Sequence, residues 1–327
     1  MRDFFKDQIL KATQSKALGK EKLIQTLWSG YGKILKIELI NSRKDIHSCI
    51  VKYIDLPEDS SHPRGWNTKL SHQRKVKSYE VEMAWYNHYS CVCDSSSRVA
   101  KVYGSASKED SHIIIMEDLD AAGFPVRKGH LDREGVKTCL SWLASFHATF
   151  MKVKPHGLWE TGTYWHLDTR PDELKEMANG PLKAHASRID QKLSSCKYQT
   201  FVHGDAKVAN FCFSNDELSI AAVDFQYVGG GCGMKDVAYF LGSCLDEYEC
   251  QQGEEEFLMH YFSELKLALE IRKSKVDFNE LKREWHEMYA WAWTDFYRFL
   301  LGWMPTHYKI HSYTKILSER VIKELNQ

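Results

Sequence analysis

Apolar and polar positions along the chain change their period several times, and each change predicts an element. Residues 1–27 place apolar side chains at helical spacing, first in KDQILKATQ and again in KEKLIQTL. Residues 33–41 alternate, and residues 49–56 run apolar over a strand's length, so both read as strands. The polar stretch 57–71 contains Pro57, Pro63 and Gly65, which predicts a loop. Helical spacing returns over 73–89, where Val76, Tyr79, Met83 and Tyr86 share a face. Residues 98–103 and 112–117 read as a hairpin with 104–110 between them. Beyond that the character changes. Residues 131–150 are helical, 200–224 hold short strands around a turn at Asn215 and Asp216, and 236–327 are mostly helical. The pattern predicts an α+β chain in two lobes. Residues 1–117 make a small lobe of mostly antiparallel sheet with one long helix, and 118–327 a larger, mainly helical lobe, with 117–122 as the joint.

Composition narrows the class. Lys+Arg and Asp+Glu each number 44, so net charge is zero, which argues against a broad nucleic-acid or acidic-membrane surface. The nine cysteines are scattered with no C-x-x-C, so neither a zinc site nor a disulfide framework is expected. The first residues lack an apolar core of signal-peptide type, and no apolar run approaches the ~18–20 residues needed to cross a bilayer. The expectation is a soluble, cytoplasmic protein without nucleic-acid partners or membrane insertion.

Residues 203–210 read HGDAKVAN, and a short apolar strand, AAVDF at 221–225, follows with Asp224. Phosphoryl transfer needs an acceptor for the substrate's hydroxyl proton and ligands for magnesium on the nucleotide phosphates. Asp205 suits the first role. Asn210, five residues on, suits a magnesium ligand through its amide oxygen, and Asp224 suits the main magnesium carboxylate. Singly, each is an ordinary turn or cap residue; the ordered set is what signifies.

HGDxxxxN followed by a short hairpin and DF resembles the aminoglycoside phosphotransferase and choline kinase superfamily. The continuation DFQ, with Asp236-Val237-Ala238 twelve residues beyond Asp224, is similar to its ecdysteroid-kinase-like branch. The resemblance covers about residues 25–305 and is specific over 203–238. It implies the protein-kinase-like two-lobed fold, ATP with Mg2+, Asp205 as catalytic base, and Asn210 and Asp224 as metal ligands. Lys207, two residues after Asp205, matches a lysine that meets the transferred phosphate in serine/threonine kinases; the alternative is a solvated loop lysine. His203 is expected to bridge loop backbone.

The same resemblance asks the first lobe for an ATP clamp. Gly30 and Gly32, in WSGYGK, would let backbone N–H groups approach phosphates, or would form an ordinary hairpin. Lys52, inside the apolar run CIVKYI, needs a partner or a ligand. A kinase lysine there bridges the α/β-phosphates and a helix glutamate. Glu82, within the apolar stripe of its helix, is the expected partner, with Glu80 the competitor. HIIIMEDL at 112–119 resembles the strand entering the kinase hinge, which brackets the adenine contact at Met116, Glu117 and Leu119; Asp118 and Asp120 would meet ribose or cap the next segment. The run VGGGCGMKD at 228–236 fits neither phosphate-loop spacing and reads as a flexible segment whose glycines permit positive φ.

Only eleven residues separate Asp224 from Asp236, too few for the peptide platform of protein kinases, so the acceptor should be a small molecule held by later helices. In 284–303, Trp285, Tyr289, Trp293, Phe296, Leu300 and Trp303 form one face, read as core. Trp291, Asp295 and Arg298 form another, with Trp291 and Asp295 as expected acceptor contacts unless Asp295 and Arg298 are a surface pair. The expected activity is phosphorylation of a small-molecule hydroxyl, with an apolar or sterol-like alcohol favoured. The alternatives are a choline- or aminoglycoside-type kinase with a cationic acceptor, and an inactive nucleotide-binding module.

Overall fold

The computed structural model describes residues 2–27, 30–55 and 69–327. The expected polar loop therefore lies outside the described residues up to position 68, as do Trp28 and Ser29 of the glycine turn. Five antiparallel strands form one sheet in the order β1-β2-β3-β5-β4. They are β1 (Ala17–Thr26), β2 (Gly32–Ile40), β3 (Ser48–Asp55), β4 (Val102–Lys108) and β5 (Ser111–Glu117). Helix α1 (Asp3–Thr13) packs Phe5 and Ile9 on one face of this sheet, against Leu35, Ile37, Val51 and Ile115. Helix α2 (Lys69–His88) covers the other face. Strand β3 is thus covered twice. Cys49, Val51 and Tyr53 turn toward α1, while Lys52 and Ile54 turn toward α2. A strand buried on both sides reads as an apolar run, and the one polar member of that run points to the chemistry.

The remainder is mainly helical. α3 (Arg133–Thr149) starts at Asp132, whose carboxylate accepts the Gly135 N–H at 2.8 Å. Three short helices follow, α4 (Pro171–Glu176), α5 (Pro181–Ala184) and α6 (Ala186–Ser194). After them come α7 (Met234–Cys244), α8 (Glu247–Ile271) with an Asp246/Glu249 capping box, α9 (Phe278–Trp303) and α10 (Ser312–Leu325). Two small ribbons sit among them: β6 (Thr200–Val202) pairs with β9 (Gly229–Gly231), and β7 (Phe211–Phe213) with β8 (Ile220–Ala222). This is the α+β, protein-kinase-like arrangement that the sequence predicts. No helix among the described residues is long and apolar enough to cross a membrane.

Three local expectations are corrected. Residues 20–27 are not helical; they belong mostly to β1, an edge strand whose Leu23 and Ile24 are exposed. Their adjacency mimics a helical stripe, and pairing with β2 overrides it. The hairpin turn is shorter than expected, because Gly104–Lys108 continue β4 and only Glu109, in a left-handed conformation, and Asp110 separate the strands. The glycine run is not a flexible positive-φ segment either. Gly229–Gly231 are a strand with ordinary φ, and a Cβ at Gly229 or Gly230 would collide with the carbonyl oxygens of Trp159 or Glu160. The glycines are there for close backbone approach.

Gly32 has a steric reason of its own. Its φ is +135°, and a Cβ would overlap the Tyr53 carbonyl on β3, whereas a Cβ at Gly30, φ +76°, would meet nothing among the described residues. Gly32→Ala is expected to cost about 1–3 kcal/mol through strain and overpacking, and Gly30→Ala less. Denaturant unfolding checks this; equal losses at the two positions would contradict it.

Candidate active site

Lys52 leaves β3 toward α2 and is 3% exposed. Its ammonium lies 2.6 Å from Glu82 and 3.3 Å from Asp224. Glu80, one position off the stripe, instead reaches toward Lys77 at the surface, at 3.8 Å. Burial by itself would lower the Lys52 pKa, but Glu82 and Asp224 outweigh it and hold the ammonium above its ordinary value. Burial lifts the Glu82 carboxyl and Lys52 opposes the lift. With a 2.6 Å contact to a fixed cation, the charged pair is the state the geometry supports.

Asp224 follows β8 in a left-handed conformation, φ +69°, which is strained for any residue that carries a Cβ. The two residues after it help to fasten it. Phe225 stacks on Trp85 of α2 with ring centroids 4.4 Å apart. Gln226 donates to Asp224 Oδ1 at 2.6 Å and accepts from Lys75 of α2 at 2.7 Å. Burial would raise the Asp224 pKa, yet Lys52, Lys75 and Lys207 hold the carboxyl well below its usual range. It is ionised, and its side chain is one-third exposed (33%).

The HGDAKVAN segment leaves β6 and is held from beneath. The fully buried Asp236 carboxylate, in the first turn of α7, accepts the N–H groups of His203 at 2.5 Å and Gly204 at 3.0 Å. Gly204 has φ +80°, and a Cβ there would strike the Tyr227 carbonyl. His203 bonds the Val223 carbonyl at 3.0 Å, which joins the loop to the approach of Asp224. Asp205 then faces three donors. Tyr239 donates to Oδ1 at 2.8 Å, Lys207 to Oδ2 at 2.8 Å, and the Asn210 amide to Oδ2 at 3.3 Å and to the Asp205 carbonyl at 2.8 Å. With its nitrogen so engaged, Asn210 keeps its amide oxygen for a cation.

The groups expected around a nucleotide have definite places. Gly32 begins β2 just after the turn that carries Gly30. Met116 and Glu117 end β5, with the Glu117 side chain paired to Arg98 and its N–H bonded to the Lys101 carbonyl at 2.8 Å. Asp118 is taken up by Lys36 at 2.6 Å and Ser48 at 2.5 Å, Asp120 pairs with Arg127, and the Leu119 carbonyl accepts the Phe124 N–H at 2.8 Å. Trp291 and Asp295 are both buried. Asp295, 0% exposed, is bonded by Arg298 at 2.9 Å and by the Trp165 indole at 3.1 Å, so its pairing is internal and not at the surface. Trp291 lies under the Lys192 ammonium, 5.5 Å from the ring centre. Neither bonds to Asp205, Asn210, Asp224 or Lys52.

Three residues were not anticipated. Lys75 lies four residues before Tyr79 and seven before Glu82, so it continues the same face of α2, and its cation sits 4.6 Å from the Tyr79 ring. The stripe that singled out Glu82 contains it. Gln226 is visible as the third letter of DFQ, but its bridge to Lys75 is a tertiary fact. Tyr239 lies in an apolar helix and gives no sequence signal. Among the described residues no cluster of three or more His, Cys, Asp or Glu suits a metal. Magnesium shared with nucleotide phosphates asks for only one or two protein ligands, and an ionised, part-exposed Asp224 with the Asn210 oxygen fits that demand.

Two overlapping matches to one family profile, at residues 67–187 and 164–274, take in Glu82, Asp205, Asn210 and Asp224, with Lys52 lying before them. The chain belongs to the ecdysteroid kinase-like family. Family and fold together put it among small-molecule kinases. Its fold is similar to that of an amicoumacin kinase solved with AMP-PNP, Ca2+ and Ami: 13% identity, 92% of this chain, 87% of that one, TM-score 0.50. It is also similar to a microcompartment-associated aminopropanol kinase: 16% identity, 98% and 94% coverage, TM-score 0.50. At these identities the similarity concerns the fold. No curated protein sequence matches the chain.

Removing one member of a buried ion pair strands the other, at about 3–5 kcal/mol. Lys52→Met and Glu82→Gln should each destabilise strongly, and the double variant by much less than the sum, while Glu80→Gln stays within about 0.5 kcal/mol. Urea unfolding of the four proteins decides it, and strict additivity would contradict the pair. Asp295→Ala should likewise lower stability by stranding Arg298. A fully stable Asp295→Ala protein would return Asp295 to the list of acceptor contacts.

Proposed function

We propose that the chain transfers the γ-phosphoryl group of ATP, with Mg2+, to a hydroxyl of a small molecule. The observation that carries this reading is the convergence of Lys52, Asp224 and Asp205 from three separate stretches of chain. Lys52 is locked by Glu82, Asp224 lies 3.3 Å from it, and Asp205 has its carboxylate oriented by Tyr239 and Asn210. In this reading residues 1–117 clamp the nucleotide and 118–327 carry the base and the acceptor site.

The backbone from Met116 to Leu119 takes the adenine edge, and backbone N–H groups beside Gly30 and Gly32 approach the phosphates. Lys52 meets the α/β-phosphates and Glu82 keeps it extended. Asp224 and the Asn210 oxygen hold the magnesium ion, which supplies charge neutralisation on the phosphates when bound. Asp205 accepts the proton of the attacking hydroxyl. A new bond forms between that oxygen and the γ-phosphorus, the bond to the β–γ bridging oxygen breaks, and ADP leaves. Lys207, 2.8 Å from Asp205, offsets charge on the group in flight. The acceptor lies on the α7–α9 side of Asp205. There the half-buried Tyr164 meets Tyr239 edge-on at 5.6 Å and Phe299 at 5.5 Å. Asp295 then supports this wall from behind through its bond to the Trp165 indole, while Trp291 faces Lys192.

The test is a panel of hydroxylated metabolites, sterols, aminoalcohols and aminoglycosides with labelled ATP and mass analysis of products. Asp205→Asn should lower kcat by ~10²–10⁴ while AMP-PNP still binds. Asp224→Ala should raise the metal requirement sharply, and EDTA should abolish turnover. Transfer at the wild-type rate by Asp205→Asn, or turnover unaffected by chelation, would overturn the assignments.

A further inference from the structure

Lys309 lies in the segment between α9 and α10, well away in sequence from the motifs above. Its backbone is fixed: the N–H donates to His307 Nδ1 at 3.2 Å and the carbonyl accepts from Thr314 at 3.1 Å. Its side chain turns inward and the residue is only 7% exposed. Three rings surround the ammonium: Tyr239 at 4.8 Å, Phe296 at 5.4 Å and Tyr308 at 5.9 Å. Among the described residues no carboxylate, carbonyl or hydroxyl hydrogen-bonds or ion-pairs with it. A cation buried so far without an anion is costly, and ring faces repay only part of that. Burial accordingly pulls the Lys309 pKa down to about 8, with Asp205 opposing.

Position gives this orphan cation its meaning. The Tyr239 ring over which it sits carries the hydroxyl that donates to Asp205. The ammonium therefore stands one aromatic ring from the base, on the face of α7 and α9 where Tyr164, Phe296 and Phe299 gather. Lys207 is ion-paired with Asp205, whereas Lys309 has no such partner among the described residues. An ammonium placed against Lys309 would meet an uncompensated cation, and like charges in a poorly hydrated site repel strongly.

We propose that Lys309 is the recognition cation of the acceptor site, and that the acceptor alcohol carries away from its reacting hydroxyl an unprotonated oxygen, as carboxylate or carbonyl, and not an ammonium. The inference rests on the phosphotransferase reading for placing the reacting hydroxyl at Asp205. Lys309 is a binding residue: it donates to the acceptor's oxygen and takes no part in proton transfer. The aromatic faces pack the acceptor's carbon body.

The test uses AMP-PNP-loaded protein and three alcohols on one skeleton: 8-hydroxyoctanoate, 8-hydroxy-2-octanone and 8-amino-1-octanol. Calorimetry should show the wild type binding at least one oxygen-ended alcohol tenfold or more tightly than the amino alcohol. Comparison of the first two tells a carboxylate site from a carbonyl site. Lys309→Met should erase the preference and Lys309→Arg should keep it, with AMP-PNP stabilisation unchanged in both as proof of folding. Equal or amine-favouring binding by the wild type, binding of none of the three, or a preference that survives in Lys309→Met, would overturn the proposal. Failure of the phosphotransferase reading shows separately, as ligand preference without any phosphate transfer from labelled ATP.

Discussion

A lysine ammonium inside a sheet that is covered on both faces cannot be left without counter-charge; an unpaired ion there costs several kcal/mol even after relaxation. Lys52 is that ammonium, and its two counter-charges come from different parts of the chain, Glu82 on α2 and Asp224 after β8. Satisfying one cation therefore sets the sheet, the helix and the helical half of the molecule relative to each other. The contacts around it agree. Phe225 stacks on Trp85, Gln226 reaches Lys75 and Ser78, and all three residues of the Asp-Phe-Gln stretch are fastened to β3 or α2. The left-handed backbone at Asp224 is sustained by these attachments, and its ionised carboxylate stays one-third exposed.

A second buried charge does the corresponding work for Asp205. Asp236 satisfies the N–H groups of His203 and Gly204, and three residues further along the same helix Tyr239 donates to Asp205. One turn of α7 therefore holds the loop backbone and orients the carboxylate on it. That turn also faces the ring cluster of Trp165, Phe296 and Phe299, and through it the Asp295–Arg298 pair. The far side of the aromatic wall beside Asp205 is core, and there Asp295 and Arg298 of α9 are buried and paired.

Much of this was legible in the sequence where one residue type was out of keeping with its surroundings. A lysine in an apolar strand, a glutamate in an apolar helical stripe, and Asp-x₄-Asn before a short hairpin each signal a charge that burial must accommodate. The strands β2 and β3 and the helices α2 and α3 followed from period alone. What was hidden depended on partners distant in sequence. Residues 20–27 carry a helix-like stripe, and all but the last join a strand because β2 is beside them. Gly229–Gly231 resemble a flexible turn and are chosen because Trp159 and Glu160 run against them. Trp291 and Asp295 share a face of α9, but α9 is buried on that face too, and helical periodicity cannot tell a pocket from a second layer of core. Lys309 and Tyr239 acquire meaning only once the loop before α10 lies over α7.

The central claim is that Lys52, Asp224 and Asn210 gather one nucleotide and one divalent ion in front of Asp205. The most direct measurement is a crystal structure with AMP-PNP and Mn2+, with manganese located by its anomalous scattering. The expected result is a manganese peak bound by the Asp224 carboxylate and the Asn210 amide oxygen, with the Lys52 ammonium on the α/β-phosphates and the γ-phosphorus facing Asp205. Manganese bound elsewhere, or a nucleotide whose phosphates do not touch Lys52, would contradict it.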